Sequence, residues 1–208
     1  MNKPQLFSEP IECKNEFHSE PVKLSAGITD YGSNKWIKMA CDVAVESVKN
    51  NGGPFGAVLL HIDTATNKVM RYWKGNNQVT IQNDPTAHAE VSVIRSACHS
   101  LGVFNLGVIE KDASNLPQDS KLSHCVIYSS CEPCPMCYSA IFWARIPSIF
   151  FSATKYDAQA PGVNFSDAEI YEELNLPYYK RKTKVYHCKC EQATASFKLW
   201  KKTDKTTY

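Results

Sequence analysis

Two short segments carry the residue types that could do chemistry. Asp84-Pro85-Thr86-Ala87-His88-Ala89-Glu90-Val91 sets a histidine two residues before a glutamate, and Ser130-Cys131-Glu132-Pro133-Cys134-Pro135-Met136-Cys137 sets cysteines at intervals of three. Imidazole nitrogen and thiolate sulfur are donors that zinc accepts, and a catalytic zinc takes three protein donors and keeps the fourth position for water. His88, Cys134 and Cys137 supply such a set. Cys134 and Cys137, at i and i+3, project from one side of a first helical turn, where the positive helix end favours thiolates over thiols. His88 stands at the start of another expected helix, so two helix N-termini converge on the metal. A centre of this kind makes water nucleophilic near neutral pH. Glu90 is not needed as a ligand and can move a proton between that water and a bound substrate. Cys131-x-x-Cys134 repeats the spacing, so spacing alone leaves Cys131 as an alternative ligand. A Cys-x-x-Cys pair by itself also suits a structural zinc clip, although a structural site has no use for Glu90.

The elements that must position these residues follow from periodicity and turn residues. Residues 1–32 are polar and punctuated by Pro4, Pro10, Pro21, Gly27 and Gly32, which describes an arm with little regular structure. Residues 34–49 form the first expected helix, with Trp36, Ala40, Val43 and Ile37, Ala44, Val48 at helical spacing and Ser33 or Asn34 as cap. Strands are expected at 57–61 and 69–73, joined as a hairpin through the turn-rich 63–67. Residues 86–98 form a helix apolar on two sides, one stripe being Ala87, Val91, Ile94 and Cys98 and the other Ala89, Val93 and Ala97; such a helix belongs inside a layered fold. Residues 103–123 are loop-like, 125–129 a strand, 134–144 a second inner helix and 149–153 a strand. Ser166, with Glu169 three residues on, opens a short helix through Asn175 as a capping box. A last strand is expected at 184–190 and a last helix at 193–201. Strands alternating with helices imply an α/β sandwich around one central sheet.

Composition narrows the class. The 208 residues suit one domain with a sizeable core, and 43% hydrophobic with 21% charged residues is ordinary for a globular protein. Twenty-three basic and 21 acidic residues give a net charge of +2, which predicts no strong pull toward nucleic acid or an anionic membrane and favours a small-molecule substrate. No run approaches the roughly 18 apolar residues of a membrane span, and the N-terminus lacks the apolar stretch of a signal peptide, so a cytoplasmic protein is expected. In a reducing compartment nine cysteines, an odd number, read as thiols or metal ligands and not as disulfides.

At the zinc-type residues the chain resembles the cytidine deaminase superfamily, whose His-x-Glu and Pro-Cys-x-x-Cys signature belongs to zinc nucleobase deaminases. Within it the chain is similar to the bacterial-type guanine deaminases. The likeness runs from about Asn34 to Tyr208 and includes Asn51 through Val58, Asn83 through Val91, Ser130 through Cys137, Trp143-Ala144-Arg145, and the end of the chain with Phe197, Trp200 and Tyr208. The signature favours Cys134 and Cys137 over Cys131 as ligands. The resemblance implies a three-layer α/β/α sandwich with a five-stranded mixed sheet, filling residues 33–208. It also implies a homodimer in which the C-terminal segment is swapped to cover the partner's site. Position by position, it implies that Asn77 and Ala89 contact the base and that Phe55 and Trp143 form aromatic walls. Asp167 becomes a second acidic residue that holds the base or helps the proton shuttle, and Tyr208 the cap over the site. Three departures stand out: Pro161 through Asp167 replaces the usual Ala-Gly-Phe-Asp-Asp run with Ser166 in place of one acid, 103–123 is long, and the arm is extra.

The reaction so implied is hydrolytic removal of the exocyclic amine of guanine, giving xanthine and ammonia, with Zn2+ as cofactor and a small purine as partner. Guanosine, another aminopurine or an aminated triazine are alternatives that the altered 161–167 loop leaves open. A tRNA adenosine deaminase carries the same signature and would need a basic surface, for which Lys180-Arg181-Lys182 and Lys198, Lys201, Lys202 and Lys205 are the candidates. A non-enzymatic zinc module is the third reading, against which Glu90 counts.

Overall fold

The computed structural model describes residues 35–203. The arm, the expected caps Ser33 and Asn34, and Tyr208 lie outside the described residues. The chain divides into two compact units between Ser166 and Asp167.

In the larger unit, α1 (Lys35–Lys49) is followed by the hairpin β1 (Gly53–Asp63) and β2 (Val69–Asn77). Then come the single turn α2 (Val79–Gln82), α3 (Ala89–Leu101), β3 (Ile109–Glu110), β4 (Leu122–Cys131), α4 (Pro135–Trp143), β5 (Ile149–Ala153) and the short α5 (Lys155–Ala158). The sheet order is β2-β1-β4-β3, with β5 also on β4. β1 runs antiparallel to β2 and β4, β3 antiparallel to β4, and β5 parallel to β4. β4 is therefore the central strand. One edge takes β1; the other is shared by β3 near its start and β5 near its end.

Both faces are covered, which makes three layers. Leu59, Cys125 and Ile127 pack with Val93, Ala97 and Leu101 of α3 and Ile141 of α4. On the opposite face Val58, Leu60, Ile62, Val126 and Tyr128 pack with Trp36 and Ala40 of α1. Because successive strand residues point to opposite faces, β1 and β4 supply both cores at once and read as continuous apolar runs. Truncating one such side chain to alanine costs about 2–5 kcal/mol. Helix and sheet approach to backbone contact at two glycines. A methyl on Gly56 would lie 2.4 Å from the Ala40 carbonyl oxygen of α1, and one on Gly75 2.4 Å from that of Ala89 in α3.

Several boundaries differ from the expectations. The helix expected from Thr86 begins at Ala89, because the Asp84 carboxylate accepts from Thr86 N and Oγ1 (2.8 and 2.7 Å) and folds the chain into a turn first. The 103–123 segment is not featureless: it contains β3 and a 3-10 turn at Lys111–Ala113. The smaller unit holds α6 (Ala168–Asn175), a 3-10 turn (Tyr178–Lys180) and α7 (Ala195–Trp200). Asp167, not Ser166, is the N-cap residue of α6, and no side chain caps it. Residues 184–190, expected as a strand, are irregular and exposed: alternation alone makes no strand without a neighbouring edge to pair with.

A buried polar network pins the 103–123 segment to the start of β4. Gln118 Nε2 donates to the carbonyls of Ile109, Ser120 and Lys121, and Ser123 Oγ donates to Gln118 Oε1 at 2.7 Å. His61 Nε2 lies 2.7 Å from Ser123 Oγ, and Arg71 Nη1 3.4 Å from His61 Nδ1. These partners assign a neutral imidazole protonated on Nε2. Asp63 accepts from Ala65 and Thr66 in the hairpin turn and from Ser120 N and Oγ. Burial holds His61 down to about 4, assisted by Arg71, and burial does the same for His124. Burial pushes Asp63 up, but its Ser120 and Thr66 hydrogen bonds prevail and hold it at about 2.

The sign of the linkage follows. Between about pH 6.5 and 4 the unfolded chain binds protons at His61 and His124 that the native state refuses, so stability falls as pH falls. Below about 3.9, Asp63 adds a further loss that is complete near 2. The melting temperature should fall steadily from pH 6.5 to pH 4, and His61→Gln should flatten part of that slope in calorimetry. An equal slope in the variant would show that His61 is not among its sources.

Candidate active site

The site forms where α3 and α4 begin. His88 is the N-cap residue of α3 with extended φ and ψ of −68° and 157°. It is delivered by the Asp84–Ala87 turn, which Gln78 N holds to the end of β2 through Ala87 O at 2.9 Å. Cys134 is the N-cap residue of α4, followed by Pro135, whose fixed φ suits the first helical position and whose missing N–H leaves nothing unsatisfied there. Glu132 fixes the loop between β4 and α4: its carboxylate accepts from Lys155 N (3.1 Å) and Nζ (3.0 Å). Neither Glu132 nor Lys155 belongs to the His and Cys donor set, and the one sequence signal for their contact is a carboxylate inside the cysteine run.

His88, Cys134 and Cys137 come together with all donor atoms within 4.8 Å of one another. His88 Nδ1 lies 3.6 Å from Cys134 Sγ and 3.5 Å from Cys137 Sγ. A tetrahedral centre with metal–nitrogen of about 2.0–2.1 Å and metal–sulfur of about 2.3 Å spaces nitrogen from sulfur by about 3.5–3.6 Å. The donor set therefore fits zinc in both chemistry and spacing. Cys131 is elsewhere: its thiol, at the end of β4, points at the Thr154 carbonyl at 3.5 Å. The Cys134 sulfur is held down to about 4, first by the hydrogen bond from Cys137 and then by His88, and the same bond with burial pushes Cys137 up. The two sulfurs titrate as a pair; the first proton leaves readily and the second is held unless a divalent cation takes its place.

Glu90 sits in the first turn of α3, only 5% exposed. Its Oε1 accepts from Ser129 Oγ at 3.0 Å, and its Oε2 lies 3.3 Å from Cys137 Sγ. Burial pushes its pKa up. One oxygen thus faces the ligand cluster while the other is tethered. Ala89 is fully buried between His88 and Glu90, and its N–H is a first-turn donor without an intrahelical acceptor.

β1 and β2 bring two further expected residues to this end of the sheet. Ala57 pairs with Ser129 across β1 and β4, and Phe55 lies two residues along the same face of β1. Phe55 meets Phe165 edge-to-face, with ring centroids 5.1 Å apart and planes at 82°. Phe165, 42% exposed, was not singled out from the sequence, where an aromatic in a turn-rich loop carries no period. Asn77, 5% exposed, ends β2 opposite Gly53; its Oδ1 accepts from Val79 N at 3.2 Å and its carbonyl from Ser47 Oγ. Trp143 is the last residue of α4, 61% exposed, two turns beyond the cysteines. Asp167 opens the smaller unit as the N-cap residue of α6. In that unit Arg181 donates to the Leu174 and Leu176 carbonyls at the end of α6, and Lys182 pairs with Glu169 at 2.7 Å, so this part of the basic run serves its own unit.

The comparisons agree with this geometry. The family described as the cytidine and deoxycytidylate deaminase zinc-binding region matches residues 32–153. The guanine deaminase of Bacillus subtilis (strain 168) is 38% identical over 167 residues, 80% of this chain and 92% of that protein. An X-ray structure of guanine deaminase from Bacillus subtilis superposes with a TM-score of 0.69 at 37% identity, covering 84% of this chain and 98% of that one. A tRNA-specific adenosine deaminase of Haemophilus influenzae is 30% identical over 138 residues, 66% of this chain and 68% of that protein. More than half of its length being matched, the chain belongs to the cytidine and deoxycytidylate deaminase zinc-binding family.

Proposed function

We propose that this protein is a zinc-dependent guanine deaminase that hydrolyses guanine to xanthine and ammonia. The observation that carries the reading is the buried Glu90 carboxylate, with one oxygen 3.3 Å from the sulfur of Cys137 in a set of three protein donors. A structural zinc site is closed by a fourth protein ligand and has no use for a carboxylate beside it. The likeness to guanine deaminase over most of both chains selects the base.

His88 Nδ1, Cys134 Sγ and Cys137 Sγ hold the metal. Zinc bound there supplies the Lewis acidity that makes water nucleophilic near neutral pH. Glu90 accepts the proton of the attacking water at Oε2. It returns that proton to the ring nitrogen beside the carbon under attack, then carries the remaining hydroxyl proton to the amine, so that the carbonyl forms as the C–N bond breaks and ammonia leaves. Phe55 and Phe165 give the purine an aromatic wall. Asn77 and the Ala89 N–H meet its polar edge. In this reading Asp167 assists in holding the base, Trp143 completes the wall, and Tyr208, in the exchanged C-terminal segment, covers the site of the partner.

The same reading includes a homodimer with an exchanged C-terminal segment. Among the described residues of 167–203 no side chain is buried, and Tyr178, Tyr179, Tyr186, Phe197 and Leu199 are 63–81% exposed. In the larger unit Tyr138, Phe142 and Trp143 of α4 are 57–70% exposed. A segment without a core of its own is stabilised by surface that it covers.

Three outcomes are expected. Zinc-replete protein should release ammonia from guanine and not from guanosine, adenine, cytosine, cytidine or aminated triazines. Release from guanosine alone would move the assignment to a nucleoside, and silence across the panel would overturn it. Glu90→Gln should keep one zinc per chain by atomic absorption and lower kcat by about 10²–10⁴-fold; an unchanged rate would remove Glu90 from the reaction. Light scattering should give twice the 23.4 kDa chain mass, and a monomer at enzyme concentrations that turn over guanine would exclude the exchanged segment.

A further inference from the structure

We propose that Ser129 is a positioning residue for the reaction: its hydroxyl locks the Glu90 carboxylate so that one oxygen, Oε2, alone serves the reacting atoms. The inference rests on the guanine deaminase reading for its kinetics, but not for the bond itself.

Ser129 breaks the pattern of its strand. On this face of β4 the preceding residues are Cys125 and Ile127, both fully buried in the core against α3 and α4. Alternation calls for another apolar side chain at 129, yet the position holds a serine that is 1% exposed. A hydroxyl taken from water without a partner is costly, so its bond must be found inside. The partner is Glu90 Oε1 at 3.0 Å, equally cut off from solvent. The neighbouring Ser130 shows the contrast: it accepts from Gly56 N at 3.0 Å and ties β4 to β1 without touching a reacting group.

Glu90 needs such a tether. The terminal torsion of a glutamate is broad, so helix packing fixes its Cβ and not the plane of its carboxylate. A proton carrier works only when its oxygen is within about 2.6–3.2 Å of the donor and acceptor. An O–H···O⁻ bond to Oε1 fixes that plane from the side away from the sulfurs and leaves Oε2, 3.3 Å from Cys137 Sγ, as the oxygen on the metal side. The bond also crosses between elements. Ser129 is held by pairing with Ala57 on one edge and Phe151 on the other, so the sheet sets the carboxylate's orientation while α3 sets its position.

Ser129→Ala, Ser129→Thr and Glu90→Ala variants test this in two ways. In steady-state guanine kinetics with zinc content measured, Ser129→Ala should lose about 10- to 100-fold in kcat with KM within about twofold, as expected for a displaced catalytic group. Ser129→Thr, which keeps the hydroxyl, should recover most of it. In zinc-stripped protein, Ser129→Ala should lower the melting temperature, and the effect should vanish in a Glu90→Ala background, where there is no carboxylate to hold. A wild-type kcat in Ser129→Ala, a loss explained by missing zinc, a loss confined to KM, or the same melting shift with and without Glu90 would each overturn the proposal. If the wild-type protein leaves guanine untouched, the functional reading fails, and the melting cycle still decides whether Ser129 holds Glu90.

Discussion

His88 Nδ1 stands 3.5 Å from one sulfur and 3.6 Å from the other, and the larger unit is organised around keeping it there. The donors come from two helices far apart in sequence, each contributing its first turn. Helix starts suit this task for two reasons. Their partial positive charge favours thiolate, and their unpaired N–H groups leave donors for a ligand. Holding two helix ends at that separation needs a rigid platform, which the central strands β1 and β4 provide by filling both cores with consecutive residues. Backbone contact at Gly56 of β1 draws α1 onto the sheet, and contact at Gly75 of β2 draws α3 onto it, with no side chain between.

β4 carries buried serines at 123, 129 and 130, and the first two serve different purposes. Ser123 closes a network of His61, Gln118 and Arg71 that fastens the 103–123 segment, while Ser129 engages Glu90. Both hydroxyls have partners, as burial demands. The first network fastens a loop segment to the start of β4. The second links the sheet to the buried Glu90 carboxylate beside the Cys137 sulfur.

The smaller unit follows another logic. Its polar groups are satisfied locally, with Arg181 on the carbonyls that end α6 and Lys182 on Glu169, but its aromatic side chains remain exposed. Ion pairs between exposed side chains contribute little to stability, so these contacts shape the unit more than they stabilise it.

The sequence by itself determined the class of fold and pointed to zinc-type chemistry. The structure brings His88, Cys134 and Cys137 together, and the donor types are rare enough in combination that His88, Glu90 and the cysteine run were legible as candidates without coordinates. So were α1, the hairpin and the two inner helices, because apolar periodicity is set by local geometry. The choice of Cys134 and Cys137 over Cys131 needed the resemblance, and the geometry gave it a reason: Cys131 ends a strand and points to the Thr154 carbonyl. What only tertiary structure decided depends on contacts between distant residues. β3 exists because β4 offers an edge to pair with, and among the described residues 184–190 pairs with no strand. Phe165 meets Phe55 across 110 positions, and Ser129 meets Glu90 across 39, neither separation leaving any period in the sequence. A lone serine in a strand reads the same whether it faces solvent, a backbone amide or a catalytic carboxylate, until the helix that packs on it is in place.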